Sequence, residues 1–262
     1  MRRLHSIPGT QVLAALPVLP LPNVVLLPGM MLPLNVHEPR YLELVDFVRQ
    51  TGQHIGIPLL RPSSAQDSIP PLATLGPLGP LGPLGPLDHG DQVDAVEPVM
   101  GVGRLVFHVA LPDGRRIIRL EGVGRVRVQR EQPGNRVFRE LSVTPLGEPL
   151  PADTDQMLLL KSQIERIAGF CGEDSESLLS LLALRDDRVF LYSLTAFLPS
   201  LELLACDLRQ WVHDDHLLVY LQQRSLAAED ADARARFLIE RTTTILDRLC
   251  DTKLQTSGAL YN

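Results

Sequence analysis

Five prolines, Pro17, Pro20, Pro22, Pro28 and Pro33, interrupt the apolar segment that opens this chain. Each removes a backbone donor and fixes φ, so a continuous helix is excluded and any strand there is confined to a rim, an edge or a bulge. Between them, Val24–Leu27 and Met30–Val36 are apolar runs of strand length on either side of Pro28-Gly29, which predicts two short strands joined by a tight reversal. Pro39 then suits the first turn of a helix. Tyr41, Leu44, Val45 and Val48 recur at helical spacing over residues 39–50. Residues 17–46 contain no group suited to catalysis, and they read as scaffolding for recognition.

The rest of the chain divides by pattern. Strands are expected at His54–Leu60, Val99–Ala110, Arg115–Glu121, Val123–Glu131 and Arg136–Thr144, with a Pro112-Asp113-Gly114 turn between the second and third. In Arg125-Val126-Arg127-Val128 the valines must face one side and the arginines the other. Closing such strands into a small barrel would remove their exposed edges. From Ala152 onward the spacing becomes helical. Met157, Leu160, Ile164, Ile167 and Cys171 draw one stripe after the cap-like Asp153. Ser177–Leu184, Asp187–Leu198 and Ser200–His213 follow, with Pro199 punctuating the last two, and then Asp214–Gln223 and Ala227–Cys250. The last carries Ala231, Ala235, Leu238, Ile245 and Leu249 on one face. The expected fold is α+β, with an N-terminal strand unit over residues 1–148 and a helical bundle over residues 149–262.

Charge follows the same division. Residues 98–140 hold nine arginines against four acids, whereas residues 151–262 hold eleven basic residues against eighteen acids. Inside the strand unit lies Leu75–Leu87, with consecutive Gly-Pro-Leu triplets. Too short for collagen, it reads as a mobile polyproline-like excursion occupying about residues 62–97.

The run Leu-Pro-Leu-Pro-Asn-Val-Val-Leu-Leu-Pro-Gly-Met-Met-Leu-Pro-Leu at residues 19–34, followed by His37-Glu38-Pro39-Arg40-Tyr41, resembles the opening of the LON N-terminal domain. That domain is the substrate-recognition part of ATP-dependent Lon proteases. Glu97–Leu105, Leu111-Pro112-Asp113-Gly114 and Leu120–Val128 follow in the family's order. The resemblance covers about residues 16–146, and the Glu-Pro-Arg-Tyr element looks more like stand-alone LON-domain proteins than full proteases. It implies a PUA-like β-barrel with one or more short helices, followed by helices. It also implies binding of proteins or unfolded peptide segments, with a link to proteolysis or protein quality control. The Gly-Pro-Leu insertion is where the chain departs from the family.

The catalytic chemistry of a Lon protease is missing from the sequence. No phosphate-binding Gly-x-x-x-x-Gly-Lys-Ser/Thr occurs, and the only lysines are Lys161 and Lys253. Lys161-Ser162, adjacent on a helix, diverge too far to act as a dyad. His213-Asp214-Asp215-His216 reads as a helix junction with Asp caps rather than a metal site. His37-Glu38 reads as a helix opening in which an acid favours the N-terminal dipole. Gly101-x-Gly103 lacks the third glycine of a dinucleotide loop. Cys171, Cys206 and Cys250 lie far apart without a Cys-x-x-Cys pair. The expectation is a non-enzyme without cofactor or metal, in a reducing cytoplasm. Pro17, Pro20 and Pro22 break what could otherwise pass for a secretory h-region after Met1-Arg2-Arg3. No apolar window is long enough to span a membrane, and the polar tail Thr252–Asn262 reads as a natural end.

Two binding surfaces remain. Val24, Leu26, Leu27, Met30, Met31 and Leu32 supply more apolar area than two short strands hide on one face, and adjacent methionines adapt to varied partners. They are the expected protein-binding residues, with about half exposed by strand alternation. The alternative is a PUA-like RNA-binding face of Arg119, Arg125 and Arg127, with Arg104, Arg115 and Arg130 nearby. Few aromatics interleave with these arginines, so a solvated exterior is the expected role of that face. Oligomeric state is not legible.

Overall fold

The computed structural model describes residues 13–61, 96–133, 136–205 and 215–258. The first of its two layers is a sheet of β1 (Leu13–Pro17), β2 (Met31–Val36), β3 (Ile55–Ile57), β4 (Val99–Ala110), β5 (Arg116–Glu131) and β6 (Glu140–Leu146), with α1 (Pro39–Thr51) after β2. The second is helical: α2 (Thr154–Cys171), α3 (Glu176–Leu182), α4 (Asp187–Leu204), α5 (Asp215–Ala227) and α6 (Ala231–Gly258). The ladder runs β1-β6-β5-β4-β3 and every pairing between named strands is antiparallel.

The two strands expected at Arg115–Glu121 and Val123–Glu131 are one. Gly122 and Gly124 lie inside β5, which pairs with β2 through Arg116–Glu121 and with β6 through Arg125–Glu131. A register shift between Val102 and Gly103 of β4 lies opposite those glycines and lets the long strand change neighbours without ending.

Val24–Leu27, expected as a strand, joins no ladder. It crosses the sheet over positions that have no side chain. A Cβ on Gly101 would stand 1.8 Å from the Leu26 carbonyl oxygen, and one on Gly122 would stand 2.1 Å from that of Leu27. The reversal at Pro28-Gly29 is present. Met30 N donates to Leu27 O at 3.1 Å, and Gly29 has φ 80°, the left-handed value that a type II turn requires at its third residue. Gly29 N donates to Gly122 O, and Gly122 N to Met30 O, both at 2.8 Å, which fixes the crossing to β5.

The ends of the ladder approach each other without closing into the expected barrel. Isolated parallel bridges join Val18 to Gly56 and Leu21 to Leu59. Leu19 N donates to Gly56 O at 2.9 Å and Leu21 N to Pro58 O at 3.1 Å. Pro20 and Pro22 occupy the alternate positions, where a strand would aim its donors the other way, so the prolines fit this seam.

Beneath the sheet, Leu44, Val45 and Val48 of α1 pack with Ile55, Ile57, Ile118, Leu120 and Phe138. A second strand cluster gathers Leu16, Val18, Met100, Val102, Val126, Leu141 and Val143. The helical core buries the stripe Met157, Leu160, Ile164 and Ile167 against α4 and α6. Asp153 caps α2 by accepting from Gln156 N at 2.9 Å. Pro199 does not divide two helices: it lies inside continuous α4, flanked by the buried Leu198 and Leu201. The expected 62–97 excursion lies outside the described residues apart from Val96 and Glu97. Val96 is buried and bridges Leu60.

Candidate functional site

The six apolar residues of the opening segment divide by depth. Leu26 and Leu27 are 1% and 2% exposed, because the glycines beneath them admit their backbone to the sheet surface. They offer no side-chain area to a partner. Met30 and Leu32 are half-buried, each leaning on a core cluster. Val24 and Met31 are also half-buried. The even alternation expected of two paired strands is absent, since only β2 is a strand.

Leu27 and Met30 point to a second role. Leu27, Val99, Tyr192 and Leu226 form one buried cluster in which the strand layer meets α4 and α5, with Met30 packed against it. Polar groups border that junction. Arg125, 1% exposed, donates from Nε to Glu148 Oε1 at 2.6 Å and from Nη1 to the carbonyls of Leu226, at 2.8 Å, and Ala228. Tyr192 Oη donates to the same Glu148 oxygen at 2.5 Å. Arg234, fully buried, donates to Ser225 O at 3.0 Å, stands 3.5 Å from Glu148 Oε2 and lies 4.2 Å over the Tyr192 ring. Burial raises the Tyr192 phenol pKa well above its ordinary range and pushes that of Arg234 down. Gln223 Nε2 adds a bond to Val99 O at 2.7 Å.

The arginine face expected at Arg119, Arg125 and Arg127 is therefore not one surface. Arg119 and Arg127 are exposed, while helices cover Arg125. Alternation correctly put Arg125 on the face opposite Val126, but it carries no information about what packs on that face. Without Arg125 the trio has no continuous phosphate-facing row.

A further group of exposed apolar residues lies at the far end of the β4–β5 hairpin. Val106, Phe107, Val109 and Ile117 are 40–47% exposed. Val109 pairs with Ile117 and Phe107 with Arg119, so these four side chains share a face. Val106 sits at the register shift between the pairs Leu105/Leu120 and Phe107/Arg119. Beside it, α1 and β4 border an open depression of about 330 Å3 lined by Val48, Arg49, Gly52, Gln53 and Arg104–His108. The sequence signal was Val106-Phe107-His108-Val109, apolar on both faces of a strand where alternation should have made one face polar.

The remaining candidates are structural. Lys161 pairs with Asp187 at 2.7 Å, while Ser162 donates to Leu159 O at 2.8 Å. Glu38 accepts from Arg40 Nε at 2.9 Å, and His37 is exposed. Gly101 and Gly103 serve the crossing of Leu26. Cys171 and Cys250 are half-buried, and Cys171 Sγ donates to Ile167 O at 3.4 Å. Among the described residues no three His, Cys, Asp or Glu side chains gather as a metal site, and no helix is long and apolar enough to cross a membrane. Cys206, His213 and Asp214 lie outside the described residues.

A family model for the ATP-dependent protease La (LON) substrate-binding domain matches residues 15–210. Among solved structures, the N-terminal domain of Mycobacterium avium complex Lon protease superposes with a TM-score of 0.57 at 13% identity. It covers 87% of this chain and 98% of its own. A Lon N-terminal domain protein from Xanthomonas campestris, 21% identical, aligns over 81% of this chain and 98% of its own with a TM-score of 0.47. No curated protein matches the sequence.

Proposed function

Because the chain belongs to the LON substrate-binding domain family, we propose that it is a non-catalytic recognition protein. Its ligands are proteins or exposed apolar peptide segments, and its role is linked to proteolysis or quality control. The observation that carries the reading is the match of a substrate-binding domain model over residues 15–210. The sequence supports it by containing neither a phosphate-binding loop nor the Ser-Lys motif of the family's proteases. On the opening segment, Val24, Met30, Met31 and Leu32 are the residues a partner can reach, supported from beneath by Leu26 and Leu27.

The test is capture. Immobilised protein should retain reduced, carboxymethylated lactalbumin and leave the native form in solution, while showing no ATP hydrolysis and no casein cleavage. Equal retention of native and unfolded forms, or turnover that survives stringent purification, would contradict the proposal.

A further inference from the structure

β3 pairs with β4 only from Gly101 to Gly103. Beyond that point, among the described residues, no strand covers the outer edge of β4 from Arg104 to Ala110, although β5 continues along its inner edge. A strand edge left open in this way presents unpaired backbone groups to any extended chain. Where β3 stops, the chain turns aside at His54 into the C-terminal end of α1, and the depression lined by Val48, Arg49, Gly52 and Gln53 opens alongside the free edge.

We infer that this edge is a docking site for an extended apolar segment of an unfolded protein, which adds to β4 as a strand along residues 104–110 in place of the missing continuation of β3. The inference rests on the recognition reading above and gives it a location. Backbone pairing along an edge accepts many sequences, and apolar side chains beside it select for hydrophobic ones. Val106, Phe107, Val109 and Ile117 provide those side chains.

Charge narrows the occupant. The rim carries Arg49, Arg104, Arg115, Arg116 and Arg119 against Asp46, Asp113 and Glu121. Arg49 and Arg116 share Asp46, Arg104 binds Glu121 at 2.6 Å and Arg115 binds Asp113 at 2.7 Å. Arg119 instead lies over the Phe107 ring at 5.6 Å and faces no carboxylate among the described residues. The segment that fits best is therefore apolar within and acidic at its flanks.

The probe is the blocked peptide Asp-Val-Thr-Ile-Tyr-Val-Thr-Ile-Asp. On binding to the full chain it should slow amide hydrogen exchange at alternate residues between Arg104 and Ala110. Replacing Phe107 and Val109 together by Asp should weaken binding at least about tenfold, close to 1.4 kcal/mol. The melting temperature should move little, because neither side chain belongs to a buried core cluster and both are more than 40% exposed. Peptide methylated at alternate backbone nitrogens should lose binding in one phase of the alternation and keep it in the other.

Protection confined to Val24–Leu32, with the double variant binding as tightly as the parent, overturns the location while leaving recognition standing. Failure of both the peptide and unfolded lactalbumin to bind overturns recognition and location together. Self-association that the double variant abolishes, without peptide binding, assigns the edge to a second copy and overturns the inference.

Discussion

Gly101 can carry nothing larger than hydrogen, because the Leu26 carbonyl oxygen lies 1.8 Å from where its Cβ would stand. The obstacle is backbone held by the Gly29–Gly122 and Gly122–Met30 hydrogen bonds on one side and by Leu26 burial on the other, so it cannot rotate away. Gly101→Ala should therefore destabilise by about 3 kcal/mol or more, at or beyond the usual upper end for overpacking. The comparison is Gly147→Ala, where the added Cβ meets no atom within 4 Å and φ is ordinary, and where a change within about 0.5 kcal/mol is expected. Urea unfolding of the two variants measures the difference. Equal stabilities would show that the Leu26 crossing can lift off the sheet at little cost, and that the opening segment is a mobile strap rather than part of the core.

Helix α4 shows what an element can absorb. Pro199 lacks the donor that the Thr195 carbonyl would receive, and nearby Gln222 Nε2 donates to Ala196 O at 3.4 Å. Interior prolines cost about 3 kcal/mol in an unsupported helix, yet burial of Leu198 and Leu201 on the core face holds the turns together. Pro199→Ala should restore the missing bond and stabilise by about 2 kcal/mol, after about 1 kcal/mol is lost to the freer unfolded chain. A higher urea midpoint with unchanged slope confirms this, and a lower midpoint would mean that the ring itself fills a contact. Helix α6 shows what was legible in the sequence. The face Ala231, Ala235, Leu238, Ile245 and Leu249 is buried at every position, because helical periodicity is a property of the segment itself. Whether Pro199 ended a helix, whether Val24–Leu27 found a partner strand and what covered Arg125 all depend on residues distant in sequence. Local pattern could not decide them. The proposed recognition residues differ in depth for the same reason: hydrophobicity singled out the opening segment, while the Gly101 and Gly122 positions that sink Leu26 and Leu27 act across the sheet.

At the scale of the molecule, the question is whether strands and helices are two stable bodies or one. Their junction buries Leu27, Val99, Tyr192 and Leu226. It also holds a charge cluster in which one carboxylate, Glu148, serves Arg125 from β5, Tyr192 from α4 and Arg234 from α6. Two buried guanidiniums around one carboxylate have no surplus of negative charge, so losing that carboxylate leaves both without their counter-ion. Removing one partner of a buried pair costs about 3–5 kcal/mol, chiefly through the charge left behind. Glu148→Gln preserves shape and should destabilise by that amount, and Tyr192→Phe in the same background should add less than it does alone, because both act through one oxygen. If the junction makes the halves one cooperative unit, helical circular dichroism and exchange protection in β5 and β6 should be lost in a single transition, shifted equally by Glu148→Gln. A shift confined to the helical signal would show that the sheet stands alone. The proposed recognition surfaces on β2 and on the β4–β5 hairpin would then need no helices to work, and the helical layer would have to be explained by some other partner.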